Sequence, residues 1–142
     1  MAEAVFKKMI VEEELDSKVK VDSAGLGNWH AGEKPHKGTQ KILDTYKVPH
    51  DWIRSRQITS KDFKEFDFIV AMDEDNVSGL SKFGAVDKKQ VFRLLDLVEK
   101  SKVKNVPDPY YTDGFEEVYD LVFEGCRILL DVVKAKLEES KI

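Results

Sequence analysis

Asp108 lies between two prolines in Val106-Pro107-Asp108-Pro109-Tyr110-Tyr111. Each proline fixes its own φ and withholds an N–H, which predicts a stiff loop around the aspartate. Two adjacent tyrosines set aromatic surface beside the carboxylate. Apolar surroundings disfavour a charged carboxylate and raise its pKa, which suits a proton donor to a leaving group. Taken alone, D-P-Y-Y reads better as a mere turn before the last helix, so the rest of the chain has to tip the balance. The other reactive side chains are few. Cys126 is the single cysteine and falls on an apolar helical face, the setting of a buried structural thiol. His30, His36 and His50 lack the close helical spacing of common zinc motifs and read as surface residues. Asp73 reads as a structural carboxylate at a strand end. Ser23 by itself simply terminates a strand. Trp29, in a Gly-rich loop, is either an anchor or an exposed tip.

The elements that must position these residues follow from hydrophobic periodicity. Ala2, Val5, Phe6, Met9 and Ile10 form one buried stripe, so the chain opens in a helix that no capping residue precedes. Val19-Lys20-Val21-Asp22 alternates as a short strand that Ser23-Ala24-Gly25 ends. The Gly-rich loop with Trp29 follows, then a helix from Thr39 to Tyr46. Thr59 or Ser60 is placed to cap a short helical turn from Asp62 to Phe66. Phe68 to Met72 is a continuous apolar run, as in a parallel strand buried on both faces. It ends in Asp73-Glu74-Asp75-Asn76, at the carboxyl end where open α/β sheets place their ligands. Val77 to Phe83 is expected to be helical, with Gly84 as its stop, and Val91 to Leu95 is a second buried strand. Asp113 and Glu116 suit a capping box for a final helix. The apolar positions Phe115, Val118, Tyr119, Val122, Cys126, Leu129, Leu130, Val133 and Leu137 extend that helix almost to the end of the chain. Strands alternating with helices predict an α/β fold with a mostly parallel sheet.

Composition narrows the class. The 142 residues suffice for one domain with a real core, and 42% apolar with 35% charged content reads as globular. A net charge of -4 argues against a nucleic-acid partner, because phosphate backbones call for a basic face. One cysteine makes no internal disulfide, which points to the cytoplasm. The start does not read as a signal peptide, and no apolar run reaches membrane-spanning length.

Taken together and in order, M-A-E-A-V-F-K-K, V-D-S-A-G-L-G-N-W-H-A-G, R-Q-I-T, F-I-V-A-M-D-E-D-N and V-P-D-P-Y-Y with F-E-E-V-Y-D resemble the low-molecular-weight protein tyrosine phosphatases. The similarity covers essentially the whole chain. It implies the phosphotyrosine phosphatase I-like fold and hydrolysis of phosphotyrosine through a cysteinyl-phosphate, with no metal or other cofactor. By that resemblance Asp108 matches the general acid, and Tyr110 and Tyr111 the aromatic pair beside the pocket. Trp29 matches the aromatic position facing the substrate ring, and Ser23 a serine that supports the phosphate loop.

One departure is large. The family opens with a buried strand and a Cys-x-x-x-x-x-Arg-Ser loop, and M-A-E-A follows that loop almost directly. The 142 residues contain no such motif. The resemblance therefore implies a single domain over residues 1–142, N-terminally truncated relative to the family and without its first strand. It places that strand between the segments matching Val19 to Val21 and Phe68 to Met72. The cysteine of that loop is the nucleophile and the arginine clamps phosphate, so the chain is expected to be inactive as it stands. The expected partners are a phosphotyrosine protein or a small aryl phosphate, once the loop is supplied, and a second copy through unpaired strand edges. Two other readings compete. One is a catalytically dead phosphatase-like module that binds a partner. The other is a magnesium-dependent phosphatase of the haloacid-dehalogenase type with Asp73 as nucleophile, since D-E-D-N-V after an apolar strand resembles that short motif. Activity abolished by a chelator would favour the last.

Overall fold

A computed structural model describes residues 1–27, 31–107 and 114–139. Helix α1 (Ala2–Glu12) buries Ala4, Val5, Phe6 and Ile10 on the stripe that the periodicity predicts, and no side chain caps it. It ends where Glu14 turns to φ 58°, which lets the Leu15 N–H reach back to the Ile10 carbonyl. The last helix, α5 (Phe115–Glu139), runs for 25 residues. Its Val118, Val122, Cys126 and Leu129 recur every three or four positions, so one face is continuously apolar and packs on α1. Gly125 lets α5 approach a 3-10 turn (Leu94–Leu97) closely, because a Cβ there would come within 2.4 Å of Leu94 Cγ. Leu94 and Leu95 are thereby seated at the centre of the core.

Between these helices, α2 (Lys37–Thr45) starts two residues before the expected Thr39. The reason is local: His36 Nδ1 accepts the Gly38 N–H at 3.0 Å and caps the helix. The short turn α3 (Asp62–Glu65) has no side-chain cap, and neither Thr59 nor Ser60 supplies one. Instead the Thr59 N–H donates to Asp62 Oδ2 at 2.8 Å. Strand β1 (Ile69–Ala71) pairs in parallel with β2 (Val91–Arg93), Ile69 opposite Val91. Both strands are shorter than their apolar runs. Beyond β2, Asp96 accepts the Arg93 N–H and holds its guanidinium, which bends Leu94 and Leu95 into the 3-10 turn.

Two expectations are corrected. The helix after β1, α4 (Glu74–Leu80), begins three residues before Val77 because Asp73 caps it, its Oδ1 accepting the Asn76 N–H at 2.8 Å. It stops at Leu80, short of the Gly84 expected to end it. The Val19 to Asp22 segment is not a strand. It keeps its alternation, Val19 and Val21 half-buried against the core and Lys20 and Asp22 exposed, but no ladder forms. The nearest regular pairing is a lone parallel bridge between Gly25 and Gln57. Asp113, expected as a cap for α5, lies outside the described residues.

Candidate active-site cleft

A cleft of about 790 Å³ opens between residues 18–26 and residues 65–73. Its floor is the apolar face of α5, with Val118, Val122, Cys126 and Leu129, and the start of α1. Ser23, Asp73, Asn76 and Pro107 all line it, so it includes the carboxyl end of β1. That is where open α/β sheets place their ligands.

The chain leading into Asp108 is fixed to this rim. The Val106 N–H donates to the Met72 carbonyl at 2.8 Å, and Val106 is buried. Asn105 Oδ1 accepts the Glu74 N–H at 2.9 Å and Arg93 Nη1 at 3.2 Å. One side chain thus ties three elements together just before the V-P-D-P turn. Asp108, Tyr110, Tyr111 and Trp29 themselves lie outside the described residues.

Ser23 is exposed at the edge of the cleft, and its hydroxyl donates to Glu3 Oε1. The other Glu3 oxygen accepts the Trp52 indole N–H at 2.9 Å. Glu3 is only 8% exposed, so a carboxylate buried at the start of α1 holds the serine from behind. Sequence reasoning did not single out Glu3 or Trp52. The available signal was an acidic residue inside an otherwise apolar helical stripe, which a buried partner has to explain.

Arg56 was also missed. It clasps Asp62 through Nη1 at 3.1 Å and Nη2 at 3.0 Å, and reaches Asp22 through Nε at 3.1 Å. These bonds join the 18–26 wall to α3. The guanidinium holds the Asp62 carboxyl below its ordinary range; burial opposes that shift and the Thr59 N–H adds to it. A depressed carboxylate stabilises the fold fully above its unfolded pKa and loses that contribution as pH falls through its folded value. Asp62→Asn is therefore expected to cost about 1–3 kcal/mol at pH 7, because Arg56 is left half-satisfied. The gap between wild type and variant should narrow in acid. Urea denaturation at pH 7 and near pH 3 measures both; an equal gap at the two would show that the charge pair is not the cause.

The remaining candidates are structural. Asp73 is spent on capping α4, and Asn76 Oδ1 in turn accepts the Met72 N–H at 3.2 Å. Cys126 is buried with its Sγ 3.9 Å from the Ala2 carbonyl, and burial pushes its pKa up to about 12. Of the described histidines, His50 departs from the surface reading and His36, which is exposed, keeps it. His50 is buried and bonded to Asp44 at 2.8 Å, and His36 stacks on Phe115 besides capping α2. His30 lies outside the described residues. Among the described residues no group of three His, Cys, Asp or Glu side chains is placed to hold a metal ion.

The layout is an α/β fold with a parallel strand pair and a cleft that includes the carboxyl end of β1. The model of the low molecular weight phosphotyrosine protein phosphatases matches residues 1–140. The chain belongs to that family. It is 46% identical over 131 residues to the low molecular weight protein-tyrosine-phosphatase YfkJ of Bacillus subtilis, covering 92% of this chain and 84% of that protein. It is 42% identical over 142 residues to PtpA of Staphylococcus aureus, covering 99% of this chain and 90% of that protein. The crystal structure of Bacillus subtilis YfkJ superposes with a TM-score of 0.91, over 95% of this chain and 86% of that one. A protein tyrosine phosphatase from Entamoeba histolytica superposes with a TM-score of 0.84 at 37% identity, over 99% of this chain and 89% of that one. Among the described residues no helix is long and apolar enough to cross a membrane.

Proposed function

We propose that these residues form the scaffold of a cytoplasmic protein-tyrosine phosphatase that presents the proton donor and substrate walls but not the nucleophile. Asp108 is the general acid. Trp29, Tyr110 and Tyr111 flank the aromatic ring of the phosphorylated substrate, and Ser23, braced by Glu3, supports the phosphate loop. In the reaction a cysteine thiolate attacks phosphorus and the bond from phosphorus to the phenolic oxygen breaks. Asp108 gives its proton to that oxygen, and water then hydrolyses the cysteinyl-phosphate. The observation that supports this most directly is the anchoring of Asn105, Val106 and Pro107 at the rim of the cleft, which sets the root of the acid loop at the carboxyl end of β1.

The 142 residues hold no Cys-x-x-x-x-x-Arg motif, since Cys126 is followed at the matching position by Val132. Turnover by the family's chemistry requires a cysteine and an arginine that these residues do not supply. A binding role without turnover is the second reading, favoured by the buried, high-pKa state of Cys126. Self-association through the unpaired edges at the cleft belongs with it. The magnesium reading on Asp73 is set aside, because its carboxylate is already a helix cap and the family is a different one.

The test is to fuse a strand ending in Cys-x-x-x-x-x-Arg-Ser ahead of Met1 and measure hydrolysis of an aryl phosphate. Activity is expected to appear, and Asp108→Asn in that fusion to lower kcat by about 10²–10⁴-fold, the usual worth of general acid catalysis. An unchanged kcat would reduce D-P-Y-Y to a turn.

A further inference from the structure

Helix α5 carries a second set of side chains on a face that does not line the cleft. Glu116, Tyr119, Asp120 and Phe123 are three and four residues apart, so they form one short stripe. Tyr46, the residue that ends α2, lies flat on Tyr119, with ring centroids 4.0 Å apart and planes 4° from parallel. Phe123 continues the row, its ring 6.1 Å from that of Tyr119. Tyr119 is buried, but Tyr46 keeps 36% and Phe123 43% of its surface open to solvent. Glu116 accepts the Tyr46 hydroxyl, and this bond, more than any other influence, pushes the Tyr46 pKa up to about 12. The phenol is therefore neutral at pH 7, and the charge beside the rings is that of Glu116 and Asp120. Both carboxylates are exposed and have no ion-pair partner among the described residues. Of the cations nearby, Lys8 reaches the Tyr46 carbonyl and Glu12, and Arg127 is paired with Glu124.

We propose that this aromatic ledge is a docking surface for an arginine side chain of a partner polypeptide. Exposed ring faces attract a cation through their quadrupole, and the two carboxylates, one helical turn apart, supply the opposite charge beside them. A wholly apolar partner would strip water from those carboxylates and leave them unpaired, and an anionic one would be repelled. Between the two cationic side chains the guanidinium fits better than the ammonium. It is planar, so it can lie on the Tyr46 ring while its fork of N–H groups bonds Glu116 or Asp120. The surface is separate from the cleft, and its use requires no phosphatase chemistry.

The probe is a peptide of alternating glycine and arginine with blocked ends, titrated into the 142-residue chain and followed by amide chemical shifts. Saturable binding is expected, with the largest shifts at Tyr46 and residues 116–123. Citrulline in place of arginine keeps the planar shape and loses the charge, and is expected to weaken binding at least about tenfold. Lysine in its place is expected to weaken binding about threefold. Glu116→Gln combined with Asp120→Asn should also cost at least about tenfold. Asp16→Asn combined with Glu99→Gln removes the same charge from exposed positions elsewhere and should leave binding within about twofold, because distant charges are screened. The citrulline comparison leaves the protein unaltered, so misfolding of a variant cannot imitate the result. Equal binding of the citrulline peptide would overturn the proposal, and equal binding of the lysine peptide would overturn the assignment to arginine. Equal losses in the two double variants would overturn it as well, since the attraction would then be that of net charge alone.

Discussion

Assayed as the 142-residue chain, the protein is expected to hydrolyse p-nitrophenyl phosphate no faster than buffer does, at least about 10⁶-fold below a complete enzyme of its kind. The expectation follows from the single thiol. Phosphoryl transfer to cysteine needs a thiolate, and burial pushes the Cys126 pKa up to about 12. At pH 7 that leaves a thiolate fraction of about 10⁻⁵. Its sulfur faces the Ala2 carbonyl, an acceptor that favours the thiol over the thiolate. Arg56, the guanidinium at the cleft, is already committed to Asp62 and Asp22. Alkylation by iodoacetamide should accordingly be slow until the protein is unfolded. Turnover that persists after Cys126→Ser and in the presence of a chelator would refute the assignment of nucleophile chemistry to residues outside this chain.

The helices are legible in the sequence because their signal is periodic and long. Spacing alone puts Val118, Val122, Cys126 and Leu129 on one face of α5, and Val5, Phe6 and Ile10 on one face of α1. Strands are legible only as apolar runs, and runs do not report pairing. Phe68 to Met72 has a neighbour on one side, so three of its residues enter a ladder. Val19 to Asp22 has the same quality of pattern and none of the pairing, because a strand exists only where a second edge lies beside it. Side-chain networks are the least legible. Nothing in the spacing of Glu3, Ser23 and Trp52 announces that they meet, since their contacts are 20 and 49 residues apart in sequence. Likewise Asn105 has the pattern of an ordinary loop residue, yet it holds Glu74 and Arg93 together.

Chemical denaturation of the same chain is expected to give a stability below the usual 5–15 kcal/mol of a domain this size, by about 2–4 kcal/mol. Each polar backbone group left without a partner away from water costs about 1–3 kcal/mol. The exposed wall is the cheaper one, because water can reach Lys20, Asp22, Ser23 and Ala24. The cost concentrates on Phe68 and Val70, which are half-buried, and on the apolar floor that the cleft leaves uncovered. Direct pairing of residues 19–22 with Phe68 to Met72 would remove most of it. Among the described residues no hydrogen bond joins those two segments, and Lys20 instead reaches toward the other wall only through its side chain, 5.3 Å from the Phe66 ring. The expected outcomes are therefore a weak fold or a strand taken from another chain. Urea titration at several protein concentrations, with light scattering, separates the two. A midpoint independent of concentration and lower than ordinary marks the weak monomer, and a midpoint that rises with concentration marks strand exchange between copies. A strictly monomeric chain unfolding cooperatively with about 5 kcal/mol or more would mean that the two edges close on each other in solution.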